Sequence, residues 1–151
     1  MAYKLSKRSL SRLEGVKSEL VAVVKRAIEL TNVDFGVTEG LRTYERQQEL
    51  VASGASQTMK SKHLKGEAVD LVAYIGSDVR WELSLYDDIA DAVKAAAQEQ
   101  GVQIRWGGSW TTPDIAEYDG TMQDAMDEYI KIRRDQGRRP FIDGPHFELM
   151  T

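Results

Sequence analysis

An aspartate set in the middle of an apolar strand is the feature that most limits how this chain can fold. From Glu67 to Ile75 the sequence reads Glu-Ala-Val-Asp-Leu-Val-Ala-Tyr-Ile, bounded by Gly66 and Gly76, which is the pattern of a buried strand. With a side-chain period of two, Asp70 shares a face with Ala68, Val72 and Tyr74. A carboxylate in that setting needs a hydrogen-bond partner, a cation or a metal, because an unpaired buried charge is costly. The fold therefore has to bring such a partner to Asp70.

The chain contains only two histidines, and both lie where they can serve. His63 precedes Asp70, and Gly66 between them permits a turn that folds the imidazole back beside the carboxylate. His146 stands in Asp143-Gly144-Pro145-His146-Phe147-Glu148-Leu149. There Pro145 blocks a helix and Gly144 allows a tight turn into a short strand. Two imidazoles and one carboxylate give a divalent metal three protein ligands and leave a fourth position open, the form of a catalytic zinc site rather than a structural one. Asp143 is the candidate general base beside it. The same donors also make the facial triad of non-haem iron oxygenases. Those sites usually draw the first histidine and the acid from nearly adjacent positions and need no extra base, so zinc hydrolysis is favoured.

Composition narrows the class. A chain of 151 residues with 42% apolar content can bury one core and stand as a single α+β domain. The absence of cysteine excludes disulfides and thiolate ligands. A net charge of −4 argues against a general nucleic-acid binder. Basic clusters at Lys4, Lys7, Arg8 and Arg12, and at Lys131, Arg133, Arg134, Arg138 and Arg139, read as solvated helix faces, with contact to anionic envelope polymers as the alternative. The N-terminus lacks an apolar signal core and no run approaches a membrane span, so cytoplasmic synthesis without stable membrane insertion is expected.

Periodicity places the elements. A first helix is expected from Ser9 to Leu30, with Leu10, Leu13, Val16, Leu20, Val23, Ala27 and Leu30 on one stripe and Ser11 and Glu14 as a capping box. Further helices are expected over Thr43–Ser53, Ser84–Gln100 and Thr121–Gln136. Strands are expected near Phe35–Leu41, Glu67–Ile75, Val102–Trp106 and Phe147–Leu149, with a hairpin turn at Gly76-Ser77-Asp78. These combine into a small mixed or antiparallel sheet with packed helices. The turn-rich stretch from Gly54 to Lys62 leads into His63 and is expected to border the cleft.

Further residues are candidates for the site. Arg42 follows a strand and suits bidentate carboxylate recognition, or else pairs with a neighbour such as Glu45. Gln47, one turn into the next helix, faces the same cleft. In Trp106-Gly107-Gly108-Ser109-Trp110 the paired glycines let backbone approach a ligand and the tryptophan rings are candidates to line a substrate groove, with Trp106 closing the core as the alternative. Glu148 shares a strand face with His146 and is a candidate to orient its ring.

Taken in order, Glu39-Gly40-Leu41-Arg42-Thr43, the run from Ser61 to Asp70, and Asp143 to Leu149 resemble the zinc D-alanyl-D-alanine carboxypeptidase and dipeptidase superfamily. Within it, the resemblance is closest to phage endolysins that are L-alanyl-D-glutamate peptidases, and it covers nearly the whole chain. The resemblance implies a Hedgehog/DD-peptidase-like zinc fold, with Zn2+ held by His63, Asp70 and His146. It implies Asp143 as catalytic base, and Arg42 as the group that holds a substrate carboxylate or the oxyanion. The substrate would be peptidoglycan, cut between L-alanine and D-glutamate of the stem peptide. Two alternatives stay open: a D-alanyl-D-alanine peptidase, and a non-catalytic zinc-containing binding module. A monomer with no separate wall-binding domain is expected, made in the host cytoplasm and admitted to the wall by a holin. Trp110 to Gly120 lacks the spacing of a calcium loop, so no calcium control is expected.

Overall fold

The computed structural model describes residues 2–56 and 58–150. Among the described residues, five α-helices and five strands follow in chain order: α1 (Lys7–Arg12), α2 (Ser18–Leu30), β1 (Asp34–Glu39), α3 (Tyr44–Ala52), β2 (Ala68–Ile75), β3 (Asp78–Arg80), α4 (Leu83–Gln100), β4 (Ile104–Trp106), α5 (Met122–Asp135) and β5 (His146–Leu149). The sheet runs β1-β2-β5-β4 and every pairing is antiparallel, with β3 joined to β2 through the expected hairpin. The fold is α+β, and the sheet is antiparallel rather than mixed.

The sheet has two chemically different faces. Phe35 and Val37 of β1, Val69, Leu71 and Ala73 of β2, Phe147 and Leu149 of β5, and Ile104 and Trp106 of β4 all enter one hydrophobic core. Their register partners agree, with Phe35 opposite Ala73, Val69 opposite Phe147, and Trp106 opposite Phe147. Leu20, Val23, Val24 and Ala27 of α2 and Ile89, Val93 and Ala96 of α4 complete that core. By the strand period, Asp70, His146 and Glu148 fall on the opposite face, where Asp70 lies directly across from His146. Strand alternation thus separates the core from the chemistry.

One long first helix does not form. The chain breaks into α1 and α2, and Leu10 stays 42% exposed instead of joining the buried stripe. Gly15 between them has φ +83°, and its carbonyl oxygen would lie 2.3 Å from a Cβ at Gly66, itself at φ +68°. Only glycine at 66 permits that approach, and it is the approach that seats the His63 turn against the α1–α2 corner. The α1 cap is Ser6, whose hydroxyl accepts from the Ser9 N–H, so the Ser11–Glu14 box does not form. The other helix expectations hold within two residues, with Thr43 capping α3 and a Thr121–Asp124 capping box opening α5.

Candidate metal centre and cleft

The turn over Lys62–Lys65 is a short 3-10 helix capped by the Ser61 hydroxyl, and it carries His63. His63 is 2% exposed, and its Nδ1 lies 2.8 Å from the Gly40 carbonyl oxygen. That contact puts the ring proton on Nδ1 and leaves Nε2 as a lone pair. Nε2 is buried without a hydrogen-bond partner among the described residues, 3.4 Å from Asp70 Oδ2. His146 approaches from β5 with Nδ1 3.4 Å from Asp70 Oδ1, while its Nε2 is 2.8 Å from Glu148 Oε1. Donor atoms of His63, Asp70 and His146 all lie within 4.8 Å of one another. Each histidine thus has its outer nitrogen occupied and its inner one turned to a shared point, which is how metal-binding imidazoles are held. The trio fits a divalent metal, and the orphaned His63 Nε2 is the atom a metal would satisfy.

Electrostatics follow from this contact set. Burial works to raise Asp70, but the two imidazoles set against it, His146 and then His63, outweigh it and hold the carboxyl well below the usual range. Burial works to lower His146, but Asp70 and Glu148 overcome it and push the imidazole up to about 9. Asp143 moves the other way, raised by burial and then by the charge of Asp70. A carboxylate with a raised pKa is a stronger base when ionised, which suits proton acceptance near neutral pH.

Asp143 is held by its backbone. Its N–H donates to the Gly107 carbonyl at 2.8 Å, and its own carbonyl accepts from the His146 N–H at 3.1 Å. A Cβ at Gly107 would meet the Asp143 carbonyl oxygen at 2.2 Å. That glycine therefore serves the Asp143 turn, not close approach to a ligand. Asp143 lines a cleft of about 470 Å³ together with His63, Asp70, His146, Arg42 and Glu39. Gly54, Ala55, Ser56, Thr58 and Ser61 form another border, so the turn-rich stretch does flank the site.

Arg42 reaches the cleft, but its fork is already committed. Nε and Nη2 make a bidentate pair with Glu39 at 2.6 and 2.8 Å, and Nη1 donates to Gln47 at 2.8 Å and Ser61 at 3.4 Å. Its Nη2 stands 3.9 Å from Asp70 Oδ2. The partner is Glu39 rather than Glu45, and a substrate carboxylate would have to displace it for bidentate binding. The register slips between Val37 and Glu39, so Glu39 pairs with Asp70. A strict period of two would have sent Glu39 to the core face with Val37, whereas the bulge turns it to Arg42.

Two of the candidates stand elsewhere. Gln47 is fully buried and bonded to Arg42, Ser56 and Thr58, so it braces Arg42 instead of lining the cleft. Trp106 is fully buried, stacked on Phe147 at 6.4 Å, with its N–H donated to the Gly144 carbonyl. Strand period puts it on the core face, away from the cleft. Trp110 is the tryptophan that lines the cleft: its ring is 5.5 Å from His146 and stacks on the 66% exposed Phe141. Sequence reading missed Glu39 and Phe141, and had Ser61 and Lys62 only as part of the stretch expected to border the cleft. Only Ser61, a cap two residues before His63, left a local signal.

The sequence profile of the phage L-alanyl-D-glutamate peptidases matches residues 1–150. The chain is 32% identical over 154 residues to the L-alanyl-D-glutamate peptidase of Escherichia phage T5, covering 99% of this chain and 100% of that one. It is 33% identical over 107 residues to the L-alanyl-D-glutamate peptidase of a Listeria phage, covering 69% of this chain and 37% of that one. Among solved structures it is similar to the Serratia marcescens L-Ala D-Glu endopeptidase ChiX, with a TM-score of 0.74 and 38% identity over 98% of this chain and 90% of that one. A match along nearly the entire length, to proteins of one activity, shows the family: this chain belongs to the phage L-alanyl-D-glutamate peptidases.

Proposed function

We propose that the protein is a zinc-dependent peptidoglycan hydrolase that cuts the bond between L-alanine and D-glutamate in the stem peptide. The observation that carries the metal is the buried, unpartnered His63 Nε2 facing Asp70 beside His146. Two imidazoles and a carboxylate, with no thiolate available, suit zinc in a catalytic setting. Zinc held by His63, Asp70 and His146 would supply Lewis acidity to the scissile carbonyl and to water. Asp143 accepts the proton of the attacking water and returns it to the leaving amine. Arg42, fixed by Glu39 and Gln47, offers positive charge where the oxyanion develops, without contributing a free carboxylate clamp. Trp110 and Phe141 give the cleft one apolar wall and Leu50 and Ala55 add apolar surface, so small apolar groups of the stem peptide have somewhere to dock.

Digestion of purified peptidoglycan, followed by mass spectrometry of the new termini, tests this reading. New N-terminal D-glutamate is expected only with metal present, lost on chelation and restored by zinc. Released D-alanine would move the enzyme to the carboxypeptidase reading, and no cleavage by folded, zinc-loaded protein would overturn the hydrolase.

A further inference from the structure

We propose that Lys62 is a positioning residue that sets the metal affinity of the site through Glu148 and His146. The inference rests on His63, Asp70 and His146 being the metal ligands. Lys62 Nζ lies 3.4 Å from Glu148 Oε2 and also donates to the Leu149 carbonyl oxygen. The other carboxylate oxygen, Oε1, holds His146 Nε2 at 2.8 Å. Each oxygen of Glu148 thus has one task, one against the ammonium and one against the imidazole. Arg105 faces Glu148 in the strand register, yet the ion pairs of Glu148 among the described residues are with Lys62 and His146.

Glu148 is only 8% exposed. A carboxylate so far from water is held in place by its partners. With Lys62 in place, Glu148 stays against His146 Nε2 and holds the ring with Nδ1 toward Asp70. Without Lys62, Glu148 is free to rotate toward water, and His146 loses the contact that fixes its ring plane. Lys62 immediately precedes His63 on the same 3-10 turn. One turn therefore delivers the first ligand and the cation that supports the third.

Zinc affinity, measured by competition with a chromophoric chelator, reads this without any substrate. Lys62→Met is expected to weaken zinc binding about tenfold, in the range of other changes behind a metal ligand, and Lys62→Arg to restore most of it. On a Glu148→Gln background the same Lys62→Met change should add little, because the relay is already cut. Unchanged affinity in Lys62→Met, or losses that simply add in the double variant, would overturn the proposal. So would an equal drop in melting temperature of the metal-free protein without rescue by arginine, which would assign Lys62 to pinning the turn on β5. If wall cleavage fails but zinc affinity still depends on Lys62, the peptidase reading falls and this one stands.

Discussion

Asp70 and Asp87 are both carboxylates withdrawn from water, and their surroundings drive them in opposite directions. Asp70 has two imidazoles within 3.4 Å and is held well below the ordinary range. Asp87, 7% exposed on α4, has no such partner among the described residues: burial first, and then the charges of Asp88, Asp91 and Asp127, raise it to about 6. Burial alone always favours the neutral acid, and only an opposed partner reverses it. The chain owns two histidines and places both at Asp70. The α4–α5 seam is left to bear its own repulsion, while the cleft holds a carboxylate ready to bind a cation.

The largest expected effect comes from breaking the Asp70 side. Asp70→Asn should abolish metal binding and with it hydrolysis, checked by metal analysis after dialysis and by release of new termini from peptidoglycan. Metal retained at full stoichiometry would show that the two imidazoles suffice. Next, Asp143→Ala should lower turnover by about 10²- to 10⁴-fold while metal content stays intact. Undiminished turnover there would remove Asp143 as the base.

A third test separates core from cleft on one short segment. Trp106→Ala should cost about 3–5 kcal/mol in chemical denaturation, the loss typical of a buried large aromatic. Trp110→Ala should instead raise KM with a smaller loss of stability. Equal destabilisation by both would erase the distinction between a core ring and a cleft ring.

The smallest effect sharpens the Asp87 side. Its carboxyl titrates near the ordinary value when unfolded and at about 6 when folded. Below both values it is neutral in either state and costs nothing. As pH rises through 6 the folded protein must carry the buried charge, and stability falls. Asp87→Asn should therefore add about 1–2 kcal/mol at pH 7.5, after allowing for solvent screening, and nothing near pH 3.5. A gain independent of pH would mean that folding does not raise the Asp87 carboxyl.

Local sequence was enough for whatever depends on local physics. A period of two marked β2 and set Asp70 among apolar residues, and a proline and glycine before His146 ruled out a helix at Asp143. Gly54, Gly101 and Gly137 marked where α3, α4 and α5 stop. Chemistry alone required that the lone strand carboxylate meet something positive, and the only imidazoles available were His63 and His146. What sequence pattern left undecided was which side each residue faces once strands pair. A one-residue bulge turned Glu39 from the core to Arg42. Sheet register sent Trp106 into the core, and the loop beyond it carried Trp110 to the cleft. The break at Gly15 also depended on contact with Gly66, a residue far along the chain. Helix periodicity could not register that contact, because the energy that decides it comes from packing between segments and not from either segment alone.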